Sequence, residues 1–391
     1  MTMTVKLDAL LKGAISAGEI PNVVAIVGNR DGVVYEGAFG PTSLGASAAL
    51  TPQSVIWIAS MTKAITSAAV MQLVEQGRLE LDAPAQNVLP ALGQTQVLAG
   101  FDAAGKPQLR APRRAITLRH LLTHTAGFGY EFSSADTRRY MDASGLPSIM
   151  TCTNAALGAP LLFDPGERWE YGTGIDWAAK MVEKVCAQRI GQVLQDTLFG
   201  PLEMTSTSFK LSAAQNLRLA GMHARAPDGS LAPLDLVMPQ APELEMAGGG
   251  LYSTVHDYLR FMRMILNGGS LAGVRVLRPE TVAEMTRDHC PGMDCGRVLS
   301  VAPEVLHDAE FFPGTQAGWG LSFVINRAAV PHGRAAGSLA WAGLSNCYYW
   351  IDLKRDICAV LATQLLPFFD PKTIALLREF ERRVYAEVGA A

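Results

Sequence analysis

The amino-acid sequence predicts an α+β fold in which one antiparallel sheet is flanked by helices and a mostly helical region is inserted between its strands. Three observations lead there. Runs rich in β-branched residues occur near both ends of the chain, helical periodicity fills the middle, and glycine, proline and asparagine turns punctuate both. At 391 residues the chain is long for one core and is expected to split into two lobes. Residues 1–84 and 246–391 are expected to form a discontinuous α/β domain and residues 85–245 a mostly helical one, with a site in the cleft between them.

Taken in order, Asn22–Gly28 and Gly32–Gly37 read as a β-hairpin, because two β-branched runs flank an Asp31-Gly32 turn. A helix follows from Ser60 to Gln76, closed by Gly77 and apolar nearly all round in its first turns, so it is expected to lie buried between layers. Shorter helical pieces are expected at Leu118–His124, Trp177–Ala187 and Gln192–Leu198, then a helix from His256 to Leu266. Strand patterns return at Gly320–Ile325, Gly337–Trp341, Cys347–Asp352 and Asp356–Thr363, as an antiparallel meander. A helix from Pro371 to Val388 ends the series.

Composition narrows the function classes. Hydrophobic residues make up 49% and charged residues 18%, the balance of a globular enzyme with a large interior. A net charge of −3 offers no general basic field for nucleic acid or an anionic membrane surface. No apolar run has the length of a membrane span, and the first residues lack the apolar core of a signal peptide. The six cysteines are scattered, and Cys290 and Cys295 do not have metal or redox spacing. Free thiols in a reducing cytoplasm are the expectation, with no cofactor and no metal. The sequence sets no oligomeric state.

The chemistry concentrates at Ser60-Met61-Thr62-Lys63. A serine hydroxyl is a weak nucleophile until a neighbouring base takes its proton. Spacing i, i+3 on a helix puts the hydroxyl and the lysine amine on one face. Burial at this helix start would strip the hydration of Lys63 and favour the uncharged amine, the form that acts as a base. No other lysine in the chain has a serine three residues before it.

A second element, Asp164-Pro165-Gly166-Glu167-Arg168-Trp169-Glu170-Tyr171-Gly172-Thr173, uses a Pro-Gly turn to present Tyr171, whose phenol could relay a proton beside a lysine. The third, Gly337 to Leu344, ends in Trp341-Ala342-Gly343-Leu344. On a strand edge there, the Leu344 N–H could face the cleft and join the Ser60 N–H as an oxyanion hole, with Gly343 allowing close approach. Each element has an ordinary structural reading as well: a surface lysine, a half-buried tyrosine, a strand end with a core tryptophan.

Together the three resemble the motif set of the serine β-lactamase and penicillin-binding-protein superfamily: S-x-x-K, then Y-x-N, then K-T-G. Other segments agree, namely Ile116–Phe128 with its Leu121-Leu122-Thr123-His124-Thr125-Ala126-Gly127 core, Phe199–Met204, and the glycine-rich Gly248–Thr254. The resemblance covers about residues 20 to 385 and implies a β-lactamase/transpeptidase-like fold with Ser60, Lys63 and Tyr171 as its catalytic residues. Two departures stand out. Thr173 occupies the asparagine position of the second motif, and Trp341 the lysine position of the third. An indole cannot neutralise a substrate carboxylate, but it can line an apolar pocket. Such a swap resembles the family VIII carboxylesterases, and the middle of the chain is similar to the fungal statin side-chain acyltransferase. The resemblance implies a small-molecule ester as substrate, with transfer to an alcohol or weak β-lactamase-type hydrolysis as alternatives. Trp341, Gly343, Tyr130, Thr173 and His124 are the expected substrate-binding residues.

Three other readings fit the residues less well. His120 and His124 have the i, i+4 spacing of zinc ligands, but no glutamate stands beside His120 and no third ligand is evident. Gly343-Leu344-Ser345-Asn346-Cys347 falls one residue short of a nucleophile elbow and lacks the strand–elbow–helix setting. A non-catalytic ligand sensor on the same fold is the third, and retention of Ser60, Lys63 and Tyr171 argues against it.

Overall fold

The computed structural model describes residues 2–388. Its centre is a seven-stranded sheet formed by the two ends of the chain. The strands are β1 (Val23–Gly28), β2 (Val33–Phe39), β3 (Ala317–Trp319), β4 (Val324–Asn326), β5 (Leu339–Gly343), β6 (Cys347–Asp352) and β7 (Ile357–Ala362). Their order is β3-β4-β5-β6-β7-β1-β2, antiparallel throughout, so β1 inserts beside β7 although more than 300 residues separate them in sequence.

The hairpin β1–β2 turns where expected. The Asn29 side chain accepts from the N–H groups of Asp31 and Gly32, an Asx turn. Strands β1, β6 and β7 are buried along their whole length, which explains their unbroken apolar runs. In β6, Tyr349 meets Tyr258 of one helical layer, while Trp350 turns to Phe380 and the Tyr385 hydroxyl of the other. Tyr258 lies on the helix Val255–Leu266, and Phe380 on the terminal helix Pro371–Val388, which packs with α1 (Met3–Ser16).

Helix α1 has no counterpart in the sequence reading. Its apolar positions Leu7, Leu11 and Ala14 are the buried stripe, and the Thr2 side chain caps its start. The expected strand Gly320–Ile325 is also corrected. Residues 320–323 form the tight connection between β3 and β4, with Gly320 N–H donating to Phe323 O and Ser322 at φ 73°. Buried Ser322 bonds Ser67 through their hydroxyls, so this turn is pinned from inside. Strand β5 starts two residues later than expected and carries Gly343 within it.

Between the two halves of the sheet, residues 85–245 hold the helical pieces and two hairpins that the sequence reading did not identify, Val97–Phe101 with Pro107–Arg110 and Met222–Arg225 with Leu231–Leu234. The second joins Leu365–Leu366 in a parallel pair. Helix α2 (Thr62–Glu75) is buried on all sides over Thr62–Leu73 and packs on α3 (Gly174–Cys186). A one-turn 3₁₀ segment, Ala59–Met61, opens the run into α2 and lies against β5 and β6. Among the described residues no helix is long and apolar enough to cross a membrane.

Candidate active site

Ser60 sits in the 3₁₀ turn at the head of α2, and the residue before it, Ala59, holds the left-handed value φ 43°. A left-handed alanine is strained, and the strain is held by surrounding structure. The reason is visible at Gly343. A Cβ there would lie 2.3 Å from Ile58 O, so only glycine lets β5 close against the Ser60 turn. Nearby, Trp57 Nε1 donates to Gly249 O at 2.8 Å, and Gln364 accepts from Trp57 N–H at 2.9 Å.

Lys63 is wholly buried, with 0% of its surface exposed. Its Nζ lies 3.1 Å from Ser60 Oγ, 3.1 Å from Tyr130 OH and 2.6 Å from Gly248 O. Together the three contacts hold the nitrogen against the hydroxyl on the same helical face.

Tyr171 lies beside the lysine, as the expected proton relay would, but presents its ring to it and not its hydroxyl. Lys63 Nζ stands 4.6 Å from the centroid of the Tyr171 ring, over its face. The Tyr171 hydroxyl accepts from Trp341 Nε1 at 3.2 Å. The hydroxyl that the lysine reaches belongs to Tyr130. Both tyrosines come from loops, and those loops interlock: a Cβ on Gly172 would be 2.0 Å from Phe128 O. Their rings are 5.1 Å apart.

These groups open onto a cleft of about 570 Å³ where the sheet region meets residues 85–245. Ser60, Tyr130, Tyr171, Trp341, Gly343 and Leu344 line it, as the sequence reading expected for a site. The far wall is apolar, built from Phe132, Ile149, Met150, Val298, Leu306 and Phe368. Those wall positions lie on short, scattered segments without a motif, so the sequence carried no signal for them. Among the described residues no arginine or lysine side chain lines the cleft. Trp341 fills that place, stacked on Phe311 at 4.9 Å and edge-on to Trp319 at 4.7 Å.

Two expected substrate-binding residues are placed behind the cleft, not in its lining. His124, at φ 56°, is sealed between Trp169, Tyr171 and Trp319, and its Nδ1 faces the Gly172 N–H at 3.4 Å. Burial, then the nearby Lys63 charge, hold its imidazole well below the ordinary range, so the ring is neutral. Thr173 is buried at the start of α3, where its carbonyl accepts from the Asp176 and Trp177 N–H groups. Of the two, His124 backs the Tyr171 ring, their centroids 4.9 Å apart.

His120 does not join His124 in a ligand set. Its Nδ1 accepts from the Thr117 N–H in a helix cap. Among the described residues no group of three or more His, Cys, Asp or Glu side chains is placed to hold a metal ion.

Tyr130 is held well above the usual phenol range, first by burial and then by the charge of Asp176, so it stays protonated. The site thus holds a hydroxyl, an amine in contact with it and two phenols, beside a pocket that Ser60 and Leu344 line. That is the equipment of acyl transfer through serine.

Known proteins agree with this chemistry. The model of a family described as Beta-lactamase matches residues 7–381. Monacolin J acid methylbutanoyltransferase of Aspergillus terreus is 31% identical over 399 residues, spanning 98% of this chain and 96% of that protein. Lovastatin esterase of Penicillium rubens is 29% identical over 405 residues, spanning 98% and 99%. A mutant simvastatin synthase from Aspergillus terreus superposes with a TM-score of 0.87 at 30% identity, covering 100% of this chain and 96% of that one. The chain belongs to the beta-lactamase family, among the serine hydrolases and acyltransferases that share its fold.

Proposed function

We propose that this protein cleaves carboxylic esters through an acyl-enzyme on Ser60. The observation that carries the reading is the 3.1 Å contact between Ser60 Oγ and Lys63 Nζ at the edge of an apolar cleft. The Lys63 amine takes the Ser60 proton as Oγ attacks the ester carbonyl. Negative charge then gathers on the carbonyl oxygen, between the N–H groups of Ser60 and Leu344. As the intermediate collapses, the proton passes to the leaving alcohol by way of Lys63 or the Tyr171 hydroxyl. Water enters, gives one proton to Lys63 and attacks the acyl carbon; the bond from that carbon to Ser60 Oγ then breaks, the carboxylic acid leaves, and Lys63 returns the proton to Oγ.

The lining argues for the substrate class. A β-lactam carries a carboxylate, and Trp341 supplies no charge to meet it. Neutral esters of short or branched apolar acids suit the wall of Phe132, Ile149 and Leu306. The reading is tested by intact-mass detection of the acyl-enzyme with an activated short-chain ester. Ser60→Ala is expected to stay folded, form no adduct and lose turnover. A folded Ser60→Ala protein that still hydrolyses the ester, or a cephalosporin turned over as fast as the ester, would remove the reading.

A second reading replaces water with an alcohol. The likeness to a methylbutanoyltransferase over 98% of this chain favours it. An added alcohol that discharges the acyl-enzyme faster than water does would select transfer over hydrolysis.

A further inference from the structure

The mechanism above leaves one buried acid unused. Asp176 projects from the first turn of α3, five residues after Tyr171, and is 0% exposed. Its Oδ1 accepts from the Gly248 N–H at 2.8 Å, while Gly248 O accepts from Lys63 Nζ at 2.6 Å. Asp176 and Lys63 therefore grip one glycine, the first by its N–H and the second by its carbonyl. The other oxygen, Oδ2, has no hydrogen-bond partner among the described residues. A Cβ on Gly248 would stand 2.5 Å from Oδ2 and 3.0 Å from Tyr130 OH, so carboxyl and phenol crowd the same point and only glycine fits between them.

A carboxylate buried with one oxygen unbonded is costly unless a cation lies close by. The groups around it are few. Lys63 faces it from α2, Tyr130 from its loop, and Cys152 from a neighbouring turn, with Lys180 one turn along α3. Lys180 is paired to Glu183 at 2.8 Å. The Tyr130 phenol is held well above its ordinary value and the Cys152 thiol is raised to about 11, both chiefly by burial, so both are neutral. Burial pushes the Asp176 carboxyl above the usual carboxylate range, and the charge of Lys63, followed by the Gly248 N–H, pulls it back. Of these groups, Lys63 is the cation that most favours the charged form of the acid.

We propose that Asp176 is a positioning residue for the lysine base: through Gly248 it fixes where Lys63 Nζ sits, and its negative charge sets how readily that nitrogen releases a proton. The proposal rests on the reading of Ser60 and Lys63 as nucleophile and base. It assigns two separable effects to one side chain.

Asp176→Asn separates them, because the amide oxygen still accepts from Gly248 N–H while the charge is gone. An ammonium that loses a neighbouring anion gives up its proton at lower pH. The acid limb of the kcat/KM profile for an activated ester is expected to move down by about half to one pH unit, with KM within about threefold of the parent. Asp176→Ala also releases Gly248, and kcat is expected to fall by about 10- to 100-fold further as the amine loses its aim. If Asp176→Asn does not fold, Asp176→Ser removes the charge with a smaller side chain and is expected to shift the limb the same way. A folded variant whose acid limb superimposes on that of the parent would overturn the proposal, whatever its rate. Ser60→Ala run alongside keeps the two ideas apart: its retained turnover would sink the nucleophile reading, whereas an unmoved limb sinks only the role of Asp176.

Discussion

The two sides of the cleft bring their groups to Lys63 by different means. On the sheet side, Ser60 and Lys63 share one helix run, and their 3.1 Å contact follows from the i, i+3 register. On the other side, Tyr130 and Tyr171 stand on separate loops, 41 positions apart in the numbering, and meet only because Gly172 lets one loop pass against Phe128. A helix register survives most changes nearby. A loop crossing does not. The two tyrosines also differ in duty: Tyr130 bonds the amine directly, whereas Tyr171 shows it a ring face and keeps its hydroxyl on Trp341.

That difference can be broken open by removing hydroxyls one at a time. Tyr171→Phe is expected to lower kcat by about 10²–10⁴, the loss of a group that relays a proton to the leaving alcohol. Tyr130→Phe removes one hydrogen bond to the lysine and is expected to lower it by about tenfold. Steady-state kinetics on one ester would rank them. The reverse order would move the proton relay from Tyr171 to Tyr130.

The loop crossing itself is tested by Gly172→Ala. The added methyl meets a backbone carbonyl that has little freedom to retreat, so the variant is expected to lose about 1–3 kcal/mol of stability. Because both tyrosines depend on that contact, activity should fall even in the folded fraction, as urea melts combined with rates per folded molecule would report. Loss of stability with unchanged specific activity would show that the tyrosines are held by other contacts.

The smallest expected effect lies beside Tyr171. Burial pushes the Glu170 carboxyl up to about 7, against an ordinary value of 4.5. A raised acid binds its proton more tightly in the folded state, so its contribution to stability is full below pH 4.5 and is lost as pH rises through 7. Glu170→Gln should therefore be the more stable protein at pH 8, by about 1 kcal/mol after allowance for partial solvent screening, and should match the parent near pH 4. Thermal melts at the two pH values check this. Equal melting at pH 8 would show that water still reaches the carboxyl.

The sequence was most legible where local physics is strong. The terminal helix Pro371–Val388 and strand Cys347–Asp352 have the limits expected from apolar pattern and turn residues. The buried helix after Ser60 was visible from its lack of a polar face. Helix α1 was passed over because its apolar stripe is thin, only Leu7, Leu11 and Ala14 being buried. Gly320–Ile325 reads as one strand because Leu321, Phe323, Val324 and Ile325 are apolar, yet residues 320–323 turn and Ser322 bonds Ser67. In the site, Tyr130 was noted as a pocket residue only, since no spacing rule joins it to Lys63. Asp176 carries no role of its own in the sequence reading, because an acid in the first turn of a helix is ordinary.

By itself the sequence determined that a serine and a lysine share a helical face at a buried helix start, because backbone geometry and apolar patterning act over a few residues. Only the tertiary structure decided which phenol touches the amine and which carbonyl holds it. Those contacts join segments up to about two hundred residues apart, as Lys63 and Gly248 are, and their energies depend on burial and close approach that no local pattern encodes.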